Sequence, residues 1–220
     1  VKADFQARKR EISRYIRFVD KISREKLAIV DAVSKEAVYD PADQSELIKT
    51  LKANAFLLLY NLLESTLKNS IEAIFDELQG KGVDFDSCRD ELRHVVLGNL
   101  KRRNIDDIVP DISRIATDLI SATFKKDMLF SGNVDGRLVR NTAKEYGFHA
   151  PRRRSDELLV VKSNRNDLAH GNKTFSEVGR EYDMRRIKRI TKEVFEYLNE
   201  LIDNVDTYLE NEHYLHAKKP

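Results

Sequence analysis

Residues 55–63 read Ala55-Phe56-Leu57-Leu58-Leu59-Tyr60-Asn61-Leu62-Leu63, the longest apolar stretch of the 220-residue chain. It is about half the length of a bilayer span, and Tyr60 and Asn61 interrupt it, so a core helix accounts for it better than a membrane segment. Outward from this stretch, Leu47, Leu51, Ala55, Leu58 and Leu62, then Ile71, Ile74, Phe75 and Leu78, recur every three or four residues. That spacing predicts one long helix with a broad apolar stripe from about Gln44 to Leu78. Asp40, Pro41 and Ala42 break the pattern before it, Asp43 or Ser45 is suited to cap its free N–H groups, and Gly80 and Gly82 end it.

The remaining segments follow the same period. Phe5, Ile12, Tyr15, Ile16, Val19 and Ile22 predict an amphipathic helix over about Phe5 to Val33. Asp86 or Ser87 opens a shorter charged helix to about Arg102, and Pro110 opens another to Phe124; together they form a helical insert at about 84–127. Phe130 to Asp135 read as a turn into a helix that Gly147 stops after Tyr146. His149 to Ser155, with Pro151 and three arginines, is a loop. A helix from about Ser155 to His170 is closed by Gly171 and Asn172, and a last one runs from about Asp183 to Glu210.

Composition agrees. Eight Gly and four Pro among 41% hydrophobic and 35% charged residues favour an all-α bundle. The length suits a single domain over 1–220. One cysteine, Cys88, allows no intramolecular disulfide, and no basic-then-apolar leader stands at the start, so a cytoplasmic protein is expected. A net charge of +2 names no partner by itself; the distribution of charge matters more.

The chemistry lies in Arg165-Asn166-Asp167-Leu168-Ala169-His170-Gly171. A guanidinium grips phosphate through two parallel N–H donors and keeps its proton. An imidazole moves protons near neutral pH. Together they suffice for metal-free RNA cleavage, in which the ribose 2′-OH attacks the adjacent phosphorus while arginine stabilises the phosphoryl oxygens. No metal or cofactor is needed, and the chain has no HExxH, CxxC or Walker-type glycine loop.

The spacing alone is weak. With 20 arginines and five histidines in 220 positions, about 0.45 Arg-x4-His pairs arise by chance. Arg89 and His94 form a second one, without Asn after the Arg or Gly after the His, and read as coincidence. Residues five apart on an ideal helix also point about 140° away from each other. Either the helix ends near Ala169 and frees His170, or two protomers bring their motifs together across a two-fold axis.

These residues resemble the HEPN superfamily, whose nuclease members carry Arg-polar-x-x-x-His near the end of a late helix; here Arg165, Asn166 and His170 stand in those places. More specifically, the chain looks like the MAE-like HEPN proteins of bacterial defence and toxin loci. That likeness rests on Leu57 to Ser65, on Phe130-Ser131-Gly132-Asn133 followed by Tyr146-Gly147, and on Arg165 to Gly171 followed by Phe175, Glu177, Gly179 and Arg180. The resemblance implies an up-and-down helical bundle, a homodimer, metal-independent endoribonuclease action leaving a 2′,3′-cyclic phosphate, and restraint by an antitoxin or defence-system partner. Some relatives carry a tyrosine two residues after the His that a partner modifies; Asn172 stands there in this chain.

Other residues have structural and functional readings side by side. Arg152, Arg153 and Arg154, with Lys162, could form a positive funnel for RNA. The runs Lys101 to Arg103 and Arg185 to Arg189 read first as solvated faces. Asn166 could orient the motif. Asp167 has the spacing to pair with His170 and is grouped with the RNA-contacting residues. Tyr60, Asn61 and Glu64 could line a cleft, although Tyr60 among leucines reads as core. The competing function is a HEPN module that binds RNA or a nucleotide without cleaving it. A DNA-binding regulator fits less well, because no helix-turn-helix pair stands out.

Overall fold

The computed structural model describes residues 1–24, 29–124 and 133–216. Its elements are α1 (Lys2–Arg24), α2 (Pro41–Gly80), a 3-10 turn (Phe85–Ser87), α3 (Asp90–Lys101), α4 (Ile105–Ile108), a second 3-10 turn (Val109–Asp111), α5 (Ile112–Thr117), α6 (Leu119–Thr123), α7 (Gly136–Tyr146), α8 (Asp156–Ala169), α9 (Phe175–Glu181) and α10 (Met184–Glu210). The only β pairings among the described residues are the isolated bridges Val30 to Ala37 and Cys88 to Leu215, so the protein is an all-α bundle. No helix among the described residues is long and apolar enough to cross a membrane. The turn expected at Phe130 to Gly132 and the end of the expected insert at 125–127 lie outside the described residues.

Several boundaries differ from expectation for identifiable reasons. Asp40, not Asp43 or Ser45, caps α2: its carboxylate accepts from the amides of Ala42 and Asp43, both at 2.8 Å, and Pro41 takes the first helical position, where its missing N–H costs nothing. The first helix does not reach Val33. Asp31 accepts from the amides of Val33 and Ser34, a local turn that competes with helix, and Val30 pairs with Ala37. The helix expected from Pro110 to Phe124 is divided into the second 3-10 turn and the short helices α5 and α6. Sequence reading missed α9, which opens on a capping box: Thr174 accepts from the Glu177 amide while Glu177 returns a bond to the Thr174 amide.

The chain divides into two compact units. One comprises 2–64 and 154–197, the other residue 1, 65–153 and 198–220. In the first, Phe5, Ile12 and Ile16 of α1, Phe56, Leu59 and Leu63 of α2, Val161 of α8 and Ile187 of α10 are buried, each such side chain contributing about 1.5–3 kcal/mol. Tyr15 donates to the Leu51 carbonyl at 2.6 Å. Arg186 of α10 grips the Glu157 carboxylate of α8 with both terminal nitrogens, the two-pronged geometry that favours Arg over Lys. Lys188 pairs with Asp20.

In the second unit, Arg89 is a clasp. Its guanidinium holds both Glu91 oxygens at 2.8 Å and donates to the carbonyls of Gly147 at 2.7 Å and His213 at 3.1 Å. Arg89 precedes α3 at its N-cap instead of lying within the helix. Gly147 adopts φ 81°, and a Cβ there would come within 2.5 Å of the Arg89 guanidinium, so only glycine suits both demands. Cys88 is buried, and that burial pushes its thiol up to about 11, with Asp84 adding to the shift. At pH 8 about one thiol in a thousand is then ionised. The folded chain should react with a disulfide reagent at pH 8 far below stoichiometry, and fully once denatured; stoichiometric labelling of the folded chain would contradict this environment.

Candidate active site

The Arg165 to Gly171 stretch forms the last turn of α8 and its stop, within the unit of residues 2–64 and 154–197. The helix ends in a Schellman motif. Gly171 adopts φ 70°, its N–H reaches the Leu168 carbonyl at 3.4 Å, and the Asn172 N–H reaches the Asp167 carbonyl at 2.8 Å. His170 is the C-cap residue, with φ −94° and ψ 0°. The helix therefore ends at Ala169, the first of the two ways to free the imidazole.

That ending comes too late to re-aim the ring. The His170 amide still donates to the Asn166 carbonyl at 2.9 Å, the α-helical bond, so its Cα keeps helical register. The angular separation from Arg165 persists. The imidazole is exposed and makes no hydrogen bond to a described residue. It differs in this from His94, whose Nδ1 bonds its own helix at the Asp90 carbonyl, 2.7 Å away. A purely structural role for His170, satisfying the terminal carbonyls of α8, has no contact to support it.

Arg165 is half-buried and braced on two sides. Its guanidinium carbon lies 4.6 Å from the centre of the Tyr60 ring, a cation–π contact, and one terminal nitrogen donates to the Asn166 side-chain oxygen at 3.0 Å. Both contacts restrict the rotamers of a long side chain before any ligand arrives. Tyr60 is fully buried, as its leucine neighbours imply, but its ring face supports the cation. Tyr60→Leu keeps an apolar core residue and removes the support. It should lower any RNA cleavage by the chain about tenfold, and undiminished cleavage in that variant would argue against the brace.

The neighbouring residues divide clearly. Asp167 does not bond His170; its carboxylate is 3.9 Å from the Lys173 ammonium, and Lys173 also pairs with Glu181 at 2.7 Å. Nearby, buried Asn164 donates to the Val160 carbonyl and to the Tyr182 hydroxyl, both at 2.9 Å, while Tyr182 packs on Phe56 with ring centres 4.7 Å apart. Lys52 donates to the Tyr182 carbonyl at 2.8 Å, and burial pulls its pKa down. This network supports the turn of α8 just ahead of the motif. Gly179 of α9 rests on α2 so closely that a Cβ would stand 2.0 Å from the Lys49 carbonyl oxygen.

The other basic residues are variously occupied. Arg152 and Arg153 belong to the second unit and Arg154 and Lys162 to the first. Glu200 accepts from the Arg152 amide at 2.7 Å and lies 3.5 Å from the Arg153 guanidinium. Arg154 pairs with Asp156 at 2.9 Å. Arg103 is not on a solvated face: it is 8% exposed, pairs with Asp111 at 2.6 Å and donates to the Ala122 carbonyl. In the run from Arg185 to Arg189, Arg186 and Lys188 have the carboxylate partners named above. Among the described residues no three His, Cys, Asp or Glu side chains gather as a metal-binding group.

Comparison with known proteins bears on the same residues. No curated protein and no solved structure matches the chain. The model of the MAE_28990-like HEPN family matches residues 1–214, a span that contains α8, its Schellman stop and the Tyr60 support. An all-α bundle with Arg165, Asn166 and His170 closing a late helix therefore agrees with a family match over nearly the whole chain: the protein belongs to the MAE-like HEPN family.

Proposed function

We propose that the chain is a metal-independent endoribonuclease acting as a homodimer, with Arg165 of one subunit and His170 of the partner subunit serving each scissile phosphate. HEPN membership narrows the activity to RNA cleavage or nucleotide binding. The observation that carries the nuclease reading is the contrast between a braced guanidinium and an exposed imidazole without internal hydrogen bonds, five residues along α8. Their separation around the helix favours sharing between two copies.

In the reaction, the imidazole takes the proton of the ribose 2′-OH as its oxygen bonds to phosphorus. The P–O5′ bond breaks, and the departing 5′-oxygen takes a proton from solvent. The products are a 2′,3′-cyclic phosphate and a 5′-hydroxyl. Arg165 donates to the non-bridging oxygens as their charge grows, and its bracing means little reorganisation is needed at that moment. Asn166 holds the guanidinium. Arg152, Arg153, Arg154 and Lys162 guide the RNA backbone, and Asp167 positions Lys173 at the edge of the motif. An intracellular role in toxin–antitoxin or phage defence, with a protein partner restraining the activity, completes the reading.

The test is incubation of the purified chain with mixed RNA in EDTA, beside Arg165→Ala and His170→Ala variants. Cleavage by the parent alone, with cyclic phosphate ends, supports the proposal. RNA retained without cleavage by all three would replace it with the binding-module reading.

A further inference from the structure

A cavity of about 610 Å³ opens in the second unit beside α3 and α7, lined among others by His94, Gly98, Arg102, Thr142, Lys144 and Tyr146. It is far larger than a packing defect and falls within the range of small-molecule sites, about 300–1,000 Å³. Three of its lining residues are buried: Tyr146 is 5%, Thr142 2% and Thr123 2% exposed. The Thr142 hydroxyl has no hydrogen-bond partner among the described residues, which leaves it for a group entering the cavity. Gly98 leaves the α3 wall open, since a Cβ there would meet nothing within 4 Å.

The charges around the cavity are not balanced. Asp90 is paired with Arg93 at 2.7 Å and Glu91 with Arg89 at 2.8 Å. Arg102 and Lys144 have no such partner among the described residues, and only Glu145 of the lining acids is equally uncommitted. Cations therefore exceed anions at the rim. His94 bonds the Asp90 carbonyl through Nδ1, which leaves Nε2 for an incoming group. Apolar surface is supplied by Val95 and the α3 backbone at Gly98.

We infer that this cavity binds a small organic anion, a flat apolar body carrying a carboxylate or a phosphate monoester, with the anionic group at Arg102 and Lys144 and a polar substituent at Thr142. The inference does not depend on the nuclease reading, because every residue it uses lies in the unit that lacks Arg165 and His170.

The probe is 8-anilinonaphthalene-1-sulfonate, an aromatic anion, titrated by fluorescence into the full chain, with melting curves run in parallel. One saturable site is expected. Gly98→Leu, which projects into open space, and Arg102→Glu and Lys144→Glu should each weaken binding at least about tenfold without lowering the melting temperature. Should Gly98→Leu fail to fold, the two charge variants decide the matter. 1-Naphthyl phosphate or 1-naphthoate should displace the probe, the better competitor identifying the anionic group, whereas neutral 1-naphthalenemethanol should not. Binding unchanged in the folded variants, or equal displacement by the neutral alcohol, overturns the inference.

Discussion

Replacing Arg165 or His170 by alanine should lower RNA cleavage in EDTA by about a thousandfold, with a change of only a few degrees in melting temperature. The size follows from the two roles. General-base catalysis by a positioned imidazole contributes about 10²–10⁴, and loss of one donor to a developing oxyanion costs about 10²–10³. The small thermal effect follows from the surroundings. His170 is exposed and caps α8 through its backbone, so alanine removes no internal contact. Arg165 loses the Tyr60 and Asn166 contacts, worth about 1–2 kcal/mol. Arg165→Lys should rescue little, because an ammonium lacks the planar fork that grips two phosphate oxygens and rests flat on an aromatic ring. A thousandfold loss accompanied by collapse of the melting curve would instead mark these side chains as structural.

The largest stability effect is expected at Gly179. With 2.0 Å between a built Cβ and the Lys49 carbonyl oxygen, Gly179→Ala forces α9 away from α2, and the obstacle is backbone that cannot rotate aside. Overpacking of this kind costs about 3 kcal/mol, or roughly 6–12 °C for a chain of this length. Activity should fall too, since α9 follows the Schellman turn by only a few residues. Ser176→Ala, on the same short helix, loses only an exposed hydrogen bond to Glu46 and should shift the melting temperature by a degree or two at most. Equal melting of Gly179→Ala and the parent would show that α9 is not packed as described.

The elements with enough turns to display a helical period were legible in the sequence. The stripe around Leu57 to Leu63 and the spacing from Ile187 to Tyr208 need no tertiary knowledge. At the start of α2 the Asp40-Pro41 pair reads as a break; it is also the cap and first residue of the next helix, so two signals share the same positions. Seven residues of α9 are too few for periodicity, although Thr174 and Glu177 carry a capping box. The stretch from Pro110 to Phe124 reads as one helix, because the pairing of buried Arg103 with Asp111 is visible only in three dimensions.

The candidate site divides in the same way. Arg165, Asn166 and His170 stand together in one short stretch, and their chemistry can be read without coordinates. The support for Arg165 cannot. Tyr60 is distant in sequence, and an aromatic among leucines carries no mark of the cation it faces. Asp167 has the spacing for His170, but the Schellman turn brings Lys173 near it instead. Sharing of the site between subunits is an inference from helix geometry, and it is the claim on which the mechanism rests.

Mixing the two inactive variants tests that claim most directly. In a dimer of one Arg165→Ala and one His170→Ala subunit, a shared site would regain an intact arginine from one copy and an intact histidine from the other. Random pairing makes about half the dimers mixed, each with one working site of two, so about a quarter of the parent activity should return. Denaturing and refolding the variants together, then measuring cleavage in EDTA, should yield that fraction. If the mixture, dimeric and folded, cleaves no faster than either variant alone, Arg165 and His170 do not meet across the dimer.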